Sequence, residues 1–119
     1  MEGARHTFSK AERVCGKASV SRLMSDGRWG SSLHLKYCFA PNGGTLNRLL
    51  VSVPKRHFKR AVKRNLLKRR LRESYRLQKE RLTVTGVDFM LFYNCPEVLP
   101  FDVLFAEVGE ILDKISAKA

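Results

Sequence analysis

The sequence lacks the features of several protein classes. Its three cysteines, Cys15, Cys38 and Cys95, lie far apart and form no Cys-x-x-Cys pair, which argues against a zinc site. No apolar run approaches the ~20 residues of a membrane span, and residues 1–10 lack the apolar core of a secretory signal. We therefore predict a chain of the reducing cytoplasm whose thiols are free and serve as inert small hydrophobes.

Acidic side chains are scarce. The 119 residues contain 11 Asp and Glu against 23 Lys and Arg, a net charge of +12. The excess is concentrated, because residues 55–76 hold 11 basic side chains and one acidic, whereas residues 83–119 carry a net charge of −4. A chain with such a basic stretch is expected to bind a polyanion or an acidic membrane surface.

Apolar residues make up 44% of the chain, enough for the core of a single domain of this length. The hydrophobic periodicities predict the order helix, strand, strand, strand, helix, strand, helix. The elements are Lys10 to about Asp26, Arg28–Gly30 (a connection or a very short strand), Ser32–Phe39, Leu49–Val53, Phe58–Leu82, Val87–Tyr93, and Phe101 or Asp102 to Ile115. We predict one α+β domain over residues 1–119, with a mixed sheet of about four strands, three helices and a flexible segment 1–8.

Several local features set these predicted boundaries. Ser9 and Glu12 fit a capping box at the start of the first helix, Gly16 weakens that helix in its middle, and Gly27 ends it. Turn residues at 41–44, Pro-Asn-Gly-Gly, separate the second and third strands. This turn predicts that those two strands pair as an antiparallel hairpin.

The long basic helix has two distinct sides. Four apolar residues form a stripe that is predicted to pack on the sheet: Leu67, Leu71, Tyr75 and Leu82. Five polar or cationic residues share another face, which we call the ridge: Asn65, Lys68, Arg69, Arg72 and Arg76. Arg64 projects within the apolar arc, and Glu73 lies just past the far edge of the ridge. Like charges at i, i+4 repel, which indicates that a polyanion neutralises them, and Arg suits phosphate because its planar fork donates two hydrogen bonds.

Two other interpretations of this helix stay open. A run of charges is usually a solvated helix face, but the nearly uniform sign here favours nucleic acid. A basic amphipathic helix on a membrane would need an exposed apolar side, which the core requires here. We therefore predict no membrane partner.

At these residues the sequence resembles the protein subunit of bacterial ribonuclease P. That family has the motif Ala-x-x-Arg-Asn-Arg-x-Lys-Arg-x-x-Arg, and residues 61–72 read AVKRNLLKRRLR. Three further segments resemble the family: Phe8-Ser9-Lys10 with Arg13, Leu50–Arg56, and Val87-Asp88-Phe89. Leu66 stands where the family has the second Arg of its motif, so that contact is lost or is supplied by Lys63 or Arg70.

The resemblance implies a function and a set of RNA contacts. In this family the RNA subunit holds the catalytic centre with Mg²⁺, and the protein supports removal of the 5′ leader from precursor tRNA. The implied partners are the catalytic RNA and precursor tRNA, with no catalytic residue and no metal or cofactor site on the protein. The fold implied is one with a left-handed βαβ crossover around the basic helix. The predicted RNA-binding residues are Lys55, Arg56, Arg64, Asn65, Lys68, Arg69, Arg72 and Arg76.

The resemblance also implies a cleft for the leader between the first helix and the exposed face of the sheet. Single-stranded RNA favours aromatic platforms flanked by cations. The candidates are Val20, Met24, Lys36 and Tyr37, with Phe39 and Arg28 as further possibilities. In the alternative interpretation, Leu33, Leu35, Tyr37 and Phe39 belong to the core, and the opposite face with His34, Lys36 and Cys38 lines the cleft.

Two functions from other classes compete with this reading. One is a generic or ribosome-associated RNA-binding protein with the same type of sheet. The other is a metal-dependent nuclease that acts alone, although the sequence shows no nucleophile–base pair and no carboxylate cluster at metal-ligand spacing.

Overall fold

The structure is a computed structural model that describes residues 10–14 and 16–118. Three α-helices and four strands follow the predicted order, with a 3₁₀ turn at Lys10–Glu12 and another at Lys79–Arg81. The helices are α1 (Lys17–Asp26), α2 (Ala61–Arg76) and α3 (Phe101–Lys118), and the strands are β1 (Arg28–Ser31), β2 (Leu35–Pro41), β3 (Arg48–Ser52) and β4 (Val87–Tyr93). The predicted α+β class and element order are confirmed, while the segment 1–8, the capping role of Ser9, and Cys15 lie outside the described residues.

The first helix is shorter than predicted. Gly16 has a φ of +89°, a conformation that L side chains rarely adopt, so it precedes the helix instead of lying within it. Ahead of this glycine, Arg13 forms an isolated parallel β-bridge with Leu49 of β3, and the Val14 amide donates to the Leu49 carbonyl at 3.0 Å. The predicted end is confirmed, because the Gly27 amide caps the Leu23 carbonyl at 2.9 Å.

The strand order in the sheet is β1-β2-β4-β3. The predicted hairpin between the second and third strands is therefore wrong. β4 lies between them, antiparallel to β2 and parallel to β3. Six of its seven residues are buried, which suits a central strand with partners at both edges and cover on both faces.

The loop between β2 and β3 does not close a hairpin, because its polar groups are bound to the start of β4. The Asn42 amide nitrogen Nδ2 donates to Asp88 Oδ1 at 2.8 Å, and the Asn42 backbone amide donates to the Gly86 carbonyl. Asn47 Oδ1 accepts the Val87 amide at 3.0 Å. Arg48 holds Asp88 through two hydrogen bonds of 2.7 Å. The turn residues at 41–44 thus carry the chain across β4 to its far side.

The basic helix connects the parallel strands β3 and β4 and so forms a βαβ crossover. The left-handedness of this crossover stays an expectation from the resemblance. The helix begins three residues later and ends six residues earlier than predicted, at Ala61 and Arg76. Leu82 was predicted on the apolar stripe of this helix. It is buried, with 5% of its surface exposed, but it lies in the segment after the helix.

The main core lies between the sheet and the helices α2 and α3. Leu67, Leu71 and Tyr75 of α2 are buried, and the Tyr75 ring packs edge-on against Phe89 of β4 at 5.2 Å between centroids. The predicted apolar side of α3 is fully buried: Leu104, Val108, Ile111, Leu112 and Ile115. This packing fixes the rotation of α2 about its axis and therefore decides which of its side chains reach solvent.

The opposite face of the sheet is covered only in part. Leu23 of α1 packs on Cys38 and Met90 in a small cluster, with Ala40, Leu50 and Phe92 half-buried around it. One end of this face is thus left accessible beside α1. In the described ranges, no helix is long and apolar enough to cross a membrane.

Candidate RNA interface

The ridge lies on the outer side of α2, away from the buried stripe. Asn65 and Arg69 are exposed, whereas Lys68, Arg72 and Arg76 are half-buried. Neither Arg69 nor Arg72 has a hydrogen-bond acceptor or ion-pair partner among residues 10–14 and 16–118. The core packing of α2 thus presents cations to solvent along three turns of helix, a surface that favours a polyanion.

Arg64 has a structural role in addition to its charge. Its Nη1 donates to the carbonyl oxygens of Phe58 at 2.7 Å and Lys59 at 2.8 Å. These bonds turn the side chain away from the apolar arc and hold the loop that precedes α2. The predicted RNA-binding residue therefore has one end of its guanidinium committed to the fold.

The loop between β3 and α2 adds a second group of cations. The predicted Lys55 and Arg56 are both exposed in it. Further along, His57, Lys59, Arg60 and Lys63 line a polar pocket of about 430 Å³ together with residues 96–98. The loop and the first turn of α2 extend the positive surface beyond the ridge.

The segment before α1 brings Arg13 to the helix. Arg13, Arg69, Arg72, Glu73 and Arg76 line a pocket of about 300 Å³. Burial lowers the pKa of Arg72, and the nearby charge of Arg13 lowers it further. We call these five residues the arginine pocket. Sequence reasoning assigned no contact to Arg13, because the first helix was expected to begin at Lys10 and to include this residue.

The segment that carries Arg13 is attached to the folded body at two points. Lys79 Nζ lies 2.8 Å from Glu12 Oε2, and Val14 is bound to Leu49 as described above. Burial raises the pKa of Tyr75, and the charge of Glu12 raises it further. Because Tyr75 lies in the last turn of α2, Glu12 lies near the C-terminal end of that helix. These contacts fix Arg13 against the basic helix.

The accessible end of the sheet lies beside α1. Lys36, Phe92 and Ser52 are neighbours across β2, β4 and β3, so their side chains share one face. Lys36 is exposed, and Phe92 and Ser52 are half-buried. On α1 the predicted Val20 is half-buried and Met24 is 46% exposed. Phe92 was missed, although its alternation with the core residues Leu91 and Tyr93 places it on the open face.

Tyr37 is not on this face, so its prediction as a leader contact is wrong. It is only 2% exposed and belongs to the core under α2 and α3, as does Phe39. Its ring covers Gly30 of β1, where an added Cβ would lie 2.4 Å from the ring. Lys36 and Cys38 do lie on the opposite face, but Cys38 is fully buried, so only Lys36 is accessible.

His34 points to α3 instead of the open face. Its Nδ1 lies 3.0 Å from Glu107 Oε1, and its amide donates to Glu107 Oε2 at 2.7 Å. Ser32 Oγ donates to the same carboxylate. Burial raises the pKa of Glu107, but these hydrogen bonds outweigh burial, so the pKa lies below its ordinary value. Glu107 thus fastens the β1–β2 turn to α3.

The remaining reactive groups are few. Cys38 and Cys95 are free and buried, and burial raises the pKa of the Cys38 thiol to about 11. Within residues 10–14 and 16–118, no group of three or more His, Cys, Asp or Glu side chains could hold a metal ion. The ridge and the loop before α2 can make ionic and hydrogen-bonding contacts with a polyanion.

Fold and surface together define a small α+β protein built around a polybasic crossover helix. The family model described as Ribonuclease P matches residues 8–116. The chain belongs to the ribonuclease P protein family, which confirms the resemblance found in its sequence.

Individual relatives agree with this assignment. The chain is 35% identical over 78 residues to a ribonuclease P protein component of Porphyromonas gingivalis, covering 63% of this chain and 57% of the relative. It is 31% identical over 75 residues to a component of the same name from Nitrosococcus oceani, covering 63% of each. The matches thus span about three fifths of these curated relatives.

A solved structure has the same fold. The ribonuclease P protein of Thermotoga maritima superposes with a TM-score of 0.78 at 23% identity, over 87% of this chain and 97% of that one.

Proposed function

We propose that this chain is the protein subunit of a ribonuclease P that matures the 5′ end of tRNA. In this proposal it binds a catalytic RNA subunit and precursor tRNA, and the RNA hydrolyses the phosphodiester bond with Mg²⁺. The observation that carries the proposal is the outer surface of α2, where the exposed Arg69 and the half-buried Arg72 have no acceptor among the described residues. The family assignment supports RNA as the polyanion.

The ridge and the loop before α2 would hold the catalytic RNA. Their guanidinium and ammonium groups donate to phosphate oxygens, and Asn65 can hydrogen-bond a base edge or a 2′-hydroxyl. The apolar stripe beneath keeps α2 rigid against the sheet, so the cations are presented at fixed spacing.

The open end of the sheet would hold the 5′ leader of the precursor. Phe92 offers a half-buried ring on which a base can stack, and Lys36 lies directly beside it to meet a phosphate. In this proposal, Val20 and Met24 of α1 would form the wall of this cleft. Stacking and charge act on any base, so this site fits leaders of different sequence.

The cytoplasm is the proposed location. The buried free thiols Cys38 and Cys95 suit a reducing compartment, and the proposed RNA partners are made there.

Reconstitution tests the proposal. A catalytic ribonuclease P RNA and precursor tRNA are combined at low Mg²⁺ with and without the protein, and cleavage at the mature 5′ end is measured. The protein is expected to increase cleavage and to have no activity alone. Cleavage by the protein without RNA would indicate the independent nuclease, and preferential binding to ribosomal RNA would favour the ribosome-associated alternative.

The ridge is tested by removing one charge. Arg69→Ala is expected to weaken binding to the catalytic RNA and to reduce the slope of log affinity against log salt by about 0.9, the share of one phosphate contact. The matched control is Lys114→Ala, which removes one exposed charge from α3. An equal loss of slope in both variants would show that net charge, and not the ridge, determines binding.

A further inference from the structure

A cavity lies at the end of the sheet where β2 finishes and β4 begins, and we call it the end cavity. Its volume of about 420 Å³ falls in the range of small-molecule sites. Apolar side chains and a glycine form most of its wall: Phe39, Ala40, Pro41, Val84, Gly86 and Val87. Thr85 and three charged residues complete the lining: Asp26, Arg28 and Lys118. Among the described residues, none that lines the end cavity belongs to α2 or to the proposed leader cleft.

The three charged residues of the end cavity come together where α1, β1 and α3 meet. A Cβ added to Gly27 would lie 3.3 Å from the Phe39 carbonyl oxygen, so the end of α1 lies directly against β2. Arg28 pairs with Phe39 across the strands, which places its side chain on the core face, opposite the face that carries Lys36. There its Nη1 donates to the carbonyl oxygen of Lys118 at 2.7 Å. The charges therefore lie on one side of the cavity.

These charges are open to a ligand. Arg28 uses one donor for the Lys118 carbonyl, and neither its remaining donors nor the Lys118 ammonium has an acceptor among residues 10–14 and 16–118. The Asp26 carboxylate accepts only a long hydrogen bond from Ser25 Oγ at 3.4 Å in the same part of the chain. Asp26 and Arg28 line one cavity without forming an ion pair with each other. Each can thus bind an opposite charge on a ligand.

This combination defines a ligand with an apolar body and a head that carries both signs of charge. We propose that the end cavity binds a free α-amino acid with a large apolar side chain. Its carboxylate binds Arg28 and Lys118, its ammonium group binds Asp26, and its side chain enters the cavity beside Phe39 and Val87. A simple anion is repelled by Asp26, and a simple amine is repelled by the two cations. The inference does not depend on the proposed function.

The test is an NMR titration of the full nitrogen-labelled chain with phenylalanine. A ligand of this size is expected to bind with a dissociation constant of about 1 mM. The amide signals that shift should be those of the lining residues, such as Ala40, Gly86 and Val87. Glycine, which has the same head group without the ring, should cause no shift at these amides.

Two further compounds test the head group. Phenylpropionate has the ring and the carboxylate but no ammonium, and phenethylamine has the ring and the ammonium but no carboxylate. Each is expected to bind about five-fold more weakly than phenylalanine, the factor that corresponds to one exposed ionic contact. Equal or tighter binding of phenylpropionate would overturn the inference, because Asp26 would then have no part in recognition.

Variants of the charged residues test the assigned contacts. Arg28→Gln should weaken phenylalanine binding about five-fold. The matched control is Arg22→Gln, which removes the same charge from an exposed position of α1 and should leave the affinity unchanged. Asp26→Asn should abolish the preference for phenylalanine over phenylpropionate without disturbing the bond between Arg28 and Lys118. Equal melting temperatures would show that the variants remain folded.

Two further outcomes would contradict the site. An absence of shifts at the lining amides, at phenylalanine concentrations well above the expected constant, would show that the cavity does not take this ligand. Shifts confined to α2, with the same response to phenylpropionate and to phenylalanine, would show only general attraction of carboxylates to the basic helix. Shifts at the lining residues that require both charges of the head and the apolar ring support the inference.

Discussion

The sequence alone identifies the surface on which some residues lie, whereas for other residues that surface depends on the fold. The ridge could be predicted, because helical periodicity fixes which side chains share a face with Arg69. Tyr37 and Phe92 could not be assigned correctly, since both are aromatic residues in alternating strands. Only the packing of two helices on one face and one on the other decides that Tyr37 is buried and Phe92 accessible.

Phe92 provides the prediction at this scale. Phe92→Ala removes the ring on which a leader base would stack, and should weaken binding of precursor tRNA by about 1–3 kcal/mol. Binding of mature tRNA, which has no leader, should not change. The measurement is the ratio of the two affinities in the presence of the catalytic RNA.

Tyr37→Phe serves as the control, since it removes a hydroxyl from the buried ring that covers Gly30. It should leave the ratio unchanged. An equal loss in both variants would place the leader elsewhere on the protein.

Contacts between elements explain which boundaries the sequence did not reveal. The bend before α1 arises from the positive φ of Gly16 and from the bond between Val14 and β3. A glycine alone is compatible with the middle of a weak helix, so the sequence did not distinguish the two cases. The strand partners were missed for a related reason, because the loop after β2 is bound by Asp88 and Val87, which lie 46 and 40 residues beyond their partners Asn42 and Asn47.

Glu107 provides the prediction at the scale of elements, since it joins α3 to the β1–β2 turn. Its pKa is lowered in the folded chain, so the unfolded chain binds the proton more tightly. The stabilisation is therefore complete above the unfolded pKa of about 4.3 and is lost as the pH falls through the folded pKa. Glu107→Gln should reduce the free energy of unfolding at about pH 7 by about 1–3 kcal/mol, with a smaller difference at about pH 2.

Urea unfolding at both pH values measures this effect. Glu110→Gln, three residues along the same helix and exposed, is the control and should change little at either pH. A constant difference between wild type and Glu107→Gln across the pH range would show that the carboxylate charge does not fasten the turn.

The whole molecule has an uneven distribution of charge. Residues 55–76 hold most of the basic excess and expose Lys55, Arg56 and Arg69, whereas residues 83–119 are net acidic, so the outer surface of α2 and the loop before it is strongly positive. Such a positive surface attracts a polyanion before contact. The composition revealed this asymmetry directly, whereas the addition of Arg13 to the positive side required the folded chain.

A net charge of +12 on so small a domain also opposes folding by self-repulsion. Raising NaCl from about 10 mM to about 1 M shortens the screening length from about 30 Å to about 3 Å. We expect the melting temperature to rise by about 4 °C or more. Scanning calorimetry across this range measures the effect.

Arg56→Gln, which removes one exposed charge from the loop before α2, should reduce the dependence on salt. A melting temperature that falls with salt would show that ion pairs such as Lys79–Glu12 outweigh the repulsion.

The central place of β4 has a consequence for synthesis of the chain. The strands that border β4 are made first, and each has one edge without its partner until residues 87–93 have left the ribosome. Only the pair β1–β2 can form before β4 is made, so the sheet cannot be completed early in translation, and the nascent chain carries a dense cationic segment before it has a full core. The sheet is therefore completed late. The same step fixes the rotation of the basic helix and turns its arginines outward, so these changes occur together as one cooperative event.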